Sequence, residues 1–214
     1  MNTHSKYRPQ KITDVVWAND DLQKEVMRYA AGRCDQPLVL HGPFGTGKTL
    51  IANLIPYALE GNQVQIRRIR PNELNSSDAV KTIYSRDRLF DDFFTPGNQS
   101  KTYTLMDEVC ISPKAKHALR ICLEEMEGRD LTIMTTNDLA GIDRAILSRA
   151  KEVYVPPIPP DRFLHRAQEI LISEGVLLAD DAVQEVLEST FSKYKDNREY
   201  YKALDKIIDE SLFA

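Results

Sequence analysis

The chain has 214 residues, a net charge of −4, 42% hydrophobic residues and 28% charged residues, a balance suited to one sizeable soluble domain or a medium domain with a small one. The acidic balance excludes a globally basic nucleic-acid binder, so any such contact has to come from a local patch. Cys34, Cys110 and Cys122 form no CxxC pair, the four histidines are scattered, and no apolar run approaches a membrane span, which sets aside a disulfide framework, a zinc centre and a membrane role. The N-terminal MNTHSKYRPQK has no apolar core of the signal-peptide kind, so an intracellular, cytoplasmic protein is expected.

In chain order, residues 1–18 read as a polar arm ending in Val15-Val16-Trp17, and 20–31 as a helix stopped by Gly32. Pro37 to His41 is an apolar run and reads as a buried strand. From Lys48, apolar residues at Leu50, Ile51, Leu54, Ile55 and Ala58 have helical spacing, closed by Gly61. Residues 63–67 read as a second strand. A helix is expected around 79–94, broken by the loop 95–100. Tyr103 to Met106 is an apolar strand ending in Asp107-Glu108. Ser112-Pro113 opens a helix with a serine cap and a proline in its first turn, and Ala115, Ala118, Leu119, Cys122 and Met126 line its apolar face. Residues 131–135 and 152–155 are the last strands, with Arg149 between them at the end of a short helix.

Four prolines in Pro156 to Pro160 make a stiff connector. Beyond it only helical stripes follow: Phe163, Leu164, Ala167, Ile170 and Leu171; then Val183, Val186, Leu187, Thr190 and Phe191; then Tyr201, Leu204, Ile207 and Ile208. The expectation is an α/β domain over 1–155 with a parallel five-stranded sheet flanked by helices, a linker over 156–160, and a small helical domain over 161–214.

Gly42-Pro43-Phe44-Gly45-Thr46-Gly47-Lys48-Thr49 has P-loop spacing and sits between a strand and a helix. Its backbone amides suit phosphate oxygens, and the following helix, from Leu50 on, adds a favourable dipole. Lys48 is expected to reach the β- and γ-phosphates of ATP and Thr49 to ligate Mg2+. Asp107 and Glu108 end a strand expected to lie beside the P-loop strand. There Asp107 holds the magnesium and Glu108 polarises the attacking water. Asn137, after the next apolar strand, is placed to hold the same water. Arg149 is poorly placed for its own P-loop and suited to a neighbour's; Arg198 is expected to touch the γ-phosphate of its own chain's nucleotide.

These motifs stand in the order of an AAA+ ATPase, and Lys6-Tyr7-Arg8-Pro9 with Val15-Val16 resembles the start of clamp-loader ATPase subunits: the small subunits of replication factor C, their T4-like phage counterparts and the bacterial tau/gamma subunit. Residues 74–78, and Ala118-Leu119-Arg120 through Glu124-Glu125, are similar to stretches of the same family. The resemblance implies an AAA+ fold whose helical domain is a lid, Asn137 as a γ-phosphate sensor, Arg149 as a finger acting in trans, and Arg198 as the lid sensor. It also implies that Tyr7, Arg8 and Val16 border the adenine. The implied partners are other AAA+ subunits, of one kind or several, in a pentamer, together with a sliding clamp and primer–template DNA. Ala150 replaces the cysteine of the family's Ser-Arg-Cys. Three cysteines cannot build the zinc module of tau/gamma, which favours the replication factor C and phage side. The 214 residues end after the lid, without the family's helical collar.

Lys114, Lys116, His117 and Arg120 occupy the first half of the helix after Ser112, and Glu124, Glu125 and Glu127 its end. This order opposes the helix dipole and suits a partner: Lys114, Lys116 and Arg120 for DNA phosphates, the glutamates for a neighbour's arginines. A solvated helix tolerating the small penalty explains it equally well, and Arg67, Arg68 and Arg70 read as a wet surface. Two rival functions remain open at this point. One is a helicase loader or transposition-type DNA-binding ATPase; the other is a nucleotide-bound scaffold, which the intact Lys48, Asp107 and Glu108 oppose.

Overall fold

A computed structural model describes residues 2–61, 64–70, 73, 76–82, 84, 101–109, 111–125, 128 and 130–212, without the side chains of Lys114 and Leu212. Most of the helix expected at 79–94, the loop 95–100, Leu74-Asn75, Cys110, Met126 and Glu127 lie outside the described residues.

The strands are β1 (Leu38–His41), β2 (Ile66–Ile69), β3 (Thr102–Met106), β4 (Asp130–Thr136) and β5 (Lys151–Tyr154). They form one sheet in the order β2-β3-β4-β1-β5, every pairing parallel. The helices are α1 (Thr3–Lys6), α2 (Asp20–Ala30), α3 (Lys48–Glu60), α4 (Pro113–Glu125), α5 (Arg144–Leu147), α6 (Pro160–Ser173), α7 (Asp180–Tyr194) and α8 (Asn197–Leu212); residues 77–82 are also helical. Among the described residues no helix is long and apolar enough to cross a membrane.

The strand order corrects one expectation. The carboxylate strand β3 is not the neighbour of the P-loop strand β1, because β4 lies between them. A parallel strand needs a crossover rather than a hairpin, so consecutive strands need not pair. The second strand also begins three residues later than expected, at Ile66, and includes Arg67 and Arg68. As an edge strand it has room for charge, and Arg67 lies 5.8 Å over the Tyr84 ring.

Backbone contacts divide the chain into two units. One holds residues 25–42 and 48–154. Its centre is the sheet, with β4 buried along its whole length, packed with Val80, Tyr84, Ala115, Ala118, Leu119 and Leu123. A buried carboxylate opens β4: Asp130, 4% exposed, accepts the hydroxyls of Thr102 (2.9 Å), Thr104 (2.7 Å) and Thr132 (2.8 Å). These bonds stitch β3 to β4 within the buried sheet.

The other unit holds residues 1–24, 43–47 and 155–214. Phe163, Ala167, Ile170, Leu171, Val183, Leu187, Leu204 and Ile208 form its core, from the three stripes anticipated. Tyr200, absent from those stripes, stacks on Phe163 at 4.7 Å and donates its hydroxyl to Ile158 O at 2.8 Å. The N-terminal residues are more ordered than an arm. Asn2 caps α1, and buried Thr3 donates its amide to Asp205 Oδ1 (3.0 Å) and its hydroxyl to Tyr201 O (3.0 Å). Contacts some 200 residues away in sequence have no local signature, which is why these residues read only as polar.

Removing the Asp130 carboxylate takes this acceptor from two buried hydroxyls, those of Thr104 and Thr132, and from half-buried Thr102. Asp130→Ala is expected to destabilise the fold by about 2–3 kcal/mol and to lower the thermal midpoint by roughly 5–10 °C, as read by a circular-dichroism melt. An unchanged melt would mean that the hydroxyls find other acceptors.

Candidate functional site

The sheet sets the geometry. In register, Met106 of β3 lies opposite Met134 of β4, so the next residues, Asp107 and Thr135, meet at the same edge. Open parallel sheets bind ligands outside the carboxyl ends of their strands, and that edge collects Gly42, Asp107, Glu108 and Asn137.

Within the sheet unit, Lys48 opens α3, is 7% exposed and donates Nζ to Gly42 O at 2.9 Å. Thr49 donates its hydroxyl to Asp107 Oδ1 at 2.7 Å, so α3 reaches past β4 to the carboxylate. Leu50 is half-buried in the same turn. Thr135 donates its hydroxyl to the same Oδ1 at 2.6 Å. The Thr135 hydroxyl in turn accepts the Glu108 amide at 3.0 Å, and Thr135 O accepts the Val109 amide at 2.9 Å. Glu108 itself is exposed, with φ of 50°, a left-handed conformation uncommon outside glycine. Asn137 is half-buried directly after β4, before Asp138, whose carboxylate caps the next turn at Ala140 N (2.9 Å).

The donor set suits a magnesium nucleotide. A hydroxyl and a carboxylate within hydrogen-bonding distance are hard oxygen ligands, and Mg2+ is commonly held by one or two such groups together with substrate phosphates. Among the described residues no cluster of three or more His, Cys, Asp or Glu is grouped as for a metal.

Arg149 is firmly held in its own chain. Its Nε donates to Glu124 Oε1 at 2.6 Å, its second terminal nitrogen pairs with the same oxygen, and NH1 donates to Ala145 O at 2.7 Å. Thus Glu124, read from the sequence as a contact for a neighbour's arginine, meets Arg149 of this chain. On α4, Lys116 and Arg120 are half-buried, and Arg120 lies 3.3 Å from His117 Nδ1. The Lys114 side chain lies outside the described residues.

The helical unit carries the other candidate groups. Pro43 and Phe44 are exposed, Phe44 strongly so, and Thr46 is buried with its hydroxyl on Pro43 O at 3.1 Å. Gly45 O accepts the Asn197 amide that opens α8, at 3.3 Å. A Cβ on Gly45 would stand 1.8 Å from Asp196 Oδ1, and its φ is +71°, so glycine is required both sterically and conformationally. Asp196 also binds Arg198 through its backbone amide (2.8 Å) and guanidinium (2.8 Å). Burial pushes the Asp196 carboxyl up, but the bonds and charge of Arg198 outweigh it and hold the group below the usual carboxylate range. The side-chain bond to Asp196 and its charge raise Arg198 in turn. Gly47 shares the positive φ of its neighbour, at 93°.

Tyr7, Arg8 and Val16 line one cleft of about 550 Å³ with Arg162, His165 and Arg166. Tyr7 is pinned there, its hydroxyl on Glu174 (2.6 Å) and its carbonyl on Arg166 (3.1 Å).

Sequence reasoning passed over Thr135 and Asp196 as site residues. A hydroxyl near the carboxyl end of a strand, two residues before Asn137, was the available sign for Thr135. For Asp196, it was an acid two residues before a candidate phosphate-binding arginine.

Residues 38–157 match the ATPase family associated with various cellular activities (AAA). Replication factor C small subunit 2 of Pyrobaculum arsenaticum is 29% identical over 188 residues, which are 86% of this chain and 57% of that protein. Replication factor C small subunit 1 of the same organism is 28% identical over 215 aligned positions, 98% of this chain and 64% of the relative. The chain thus spans 57% to 64% of the length of these curated relatives. Among solved structures, a mutant of Thermotoga maritima RuvB superposes with a TM-score of 0.75 at 14% identity, covering 97% of this chain and 68% of that one, a likeness of fold alone. The match runs from the first residue of β1 to just beyond β5, more than half of the chain, and the chain belongs to the AAA family of ATPases.

Proposed function

We propose that the chain binds and hydrolyses ATP as a subunit of a sliding-clamp loader acting on primer–template DNA. The observation that carries the hydrolytic part is the Thr49–Asp107 bond with Glu108 beside it. The likeness to replication factor C small subunits, together with Lys6-Tyr7-Arg8-Pro9, supports the clamp-loading part.

In this reading, the amides of the loop from Gly42 to Thr49 and the N-terminus of α3 receive the phosphates. Lys48 exchanges the Gly42 carbonyl for phosphate oxygens. Thr49 and Asp107 would hold Mg2+, which when bound would supply neutralising charge to the phosphates. Glu108 accepts the proton of the attacking water, Asn137 orients that water, and the products are ADP and inorganic phosphate. Tyr7, Arg8 and Val16 border the adenine.

Arg149 serves the adjacent subunit's ATP, the incoming triphosphate displacing Glu124 from the guanidinium. Arg198 serves its own chain's nucleotide, with Asp196 as its resting counter-ion. ATP binding assembles the subunits, as a pentamer, around primed DNA and an opened clamp, and hydrolysis releases both. On α4, Lys116 and Arg120 stand one turn apart and face DNA phosphates, together with Lys114.

Steady-state ATP hydrolysis by the purified chain, with and without primed DNA, tests the reading. Stimulation by DNA that disappears in Arg149→Ala is expected, with a loss on the order of 10³-fold. A rate indifferent to both would exclude a shared site in this chain. Glu108→Gln is expected to slow turnover by roughly 100-fold or more while ATP affinity holds. Normal turnover in that variant would remove Glu108 from the chemistry. For the DNA surface, Lys116→Ala with Arg120→Ala is expected to make the slope of log affinity against log salt shallower by about 1 to 2. An unaltered slope in fluorescence-anisotropy titrations would take α4 out of the DNA contact.

A further inference from the structure

The Thr135 hydroxyl stands between the two acidic residues of the site. It gives its one proton to Asp107 Oδ1 at 2.6 Å and receives the Glu108 amide at 3.0 Å. Thr49 gives a second proton to the same Oδ1 at 2.7 Å. Among the described residues, both hydroxyl bonds to this carboxylate therefore fall on one oxygen, and Oδ2 remains the oxygen toward which a cation or its water can be drawn. Two hydrogen bonds on one oxygen restrict the orientation of the carboxylate, which is what outer partners of a metal ligand supply.

The second bond acts on the backbone. Glu108 has φ of 50°, a conformation that persists only where its surroundings over-determine it. The Glu108 amide on Thr135 Oγ1 and the Val109 amide on Thr135 O hold the two sides of that turn. The direction in which Glu108 leaves the strand end thus depends on one residue of the neighbouring strand, 1% exposed, whose side chain supplies one of the two bonds. Strand pairing brings it there, since Asp107 follows the Met106–Met134 pair.

We propose that Thr135 is a positioning residue for ATP hydrolysis: its hydroxyl orients Asp107 toward Mg2+ and sets the backbone turn that aims Glu108 at the attacking water. The proposal rests on the hydrolytic reading above. It makes two separable statements, one about cation affinity and one about turnover. Thr135→Val removes the hydroxyl at nearly constant shape. The variant is expected to raise the Mg2+ concentration for half-maximal binding of a fluorescent ATP analogue about tenfold. At saturating Mg2+ it is expected to lower kcat by roughly 10- to 100-fold with little change in KM. Thr135→Ser, which keeps the hydroxyl, restores most of both losses.

Binding titrations and steady-state kinetics on the 214-residue chain, with melting curves for each variant, decide the matter. A valine variant with unchanged Mg2+ half-saturation and kcat within about twofold of the parent would overturn the proposal. So would a serine variant as impaired as valine, since bulk and not the hydroxyl would then be the cause. If valine melts near the assay temperature, Thr135→Cys replaces it, its thiol being a weak donor of similar size. That variant is expected to fall between serine and the fully impaired form, and parity with the parent would again overturn the proposal. Absence of turnover in the unsubstituted chain would count against the hydrolytic reading alone, because the Mg2+ titration still judges the hydroxyl.

Discussion

One carboxylate oxygen, Asp107 Oδ1, joins three elements that are distant in sequence. Thr49 approaches it from α3 and Thr135 from β4, while Asp107 itself ends β3. Three further candidate groups of the sheet unit lie next to this point in the chain: Lys48 one residue before Thr49, Glu108 one residue after Asp107, and Asn137 two residues after Thr135. The constraint is possible because all pairings in the sheet are parallel. Parallel strands deliver their carboxyl ends to one edge, and loops at that edge are free to carry polar groups while the strands behind them stay buried.

The helical unit uses similar economy at Asp196. This residue lies so near Gly45 that no side chain fits there, and it binds Arg198 through backbone and guanidinium together. Both Asp107 and Asp196 are thus carboxylates engaged by neighbours that the functional reading also gives to phosphate or its cation. Groups committed to such bonds are preorganised, and preorganised charge is the main resource for phosphoryl transfer, where the protein chiefly positions and neutralises. Arg149 fits the same pattern, its guanidinium held by Glu124 and the Ala145 carbonyl.

A good share of this was legible in the sequence. Gly42, Lys48 and Thr49 were readable because a short apolar run and a helical period flank them. Asp107-Glu108 was readable because two acids end an apolar strand. The five strands were found, with ends shifted by up to three residues, the largest shift being at the charged edge strand β2. The order of those strands was not readable: β3 was expected beside β1, and β4 occupies that place. Nor were Asp130 and its three hydroxyls, Tyr200 on Phe163, or Thr3 on Asp205 and Tyr201, each of which is a pairing across the fold with no period along the chain.

The sequence by itself determined the identity and spacing of the phosphate loop, the acidic pair, the candidate sensor Asn137 and the two arginines. These follow from local order, since a strand, a glycine turn and a helix are each encoded within a dozen residues. The tertiary structure alone decided which side chains those groups lean on. Thr135 reaches Asp107 across 28 positions and Thr49 across 58. Such contacts arise from strand order and register, which are fixed by the packing of the whole sheet and leave no mark on any single segment.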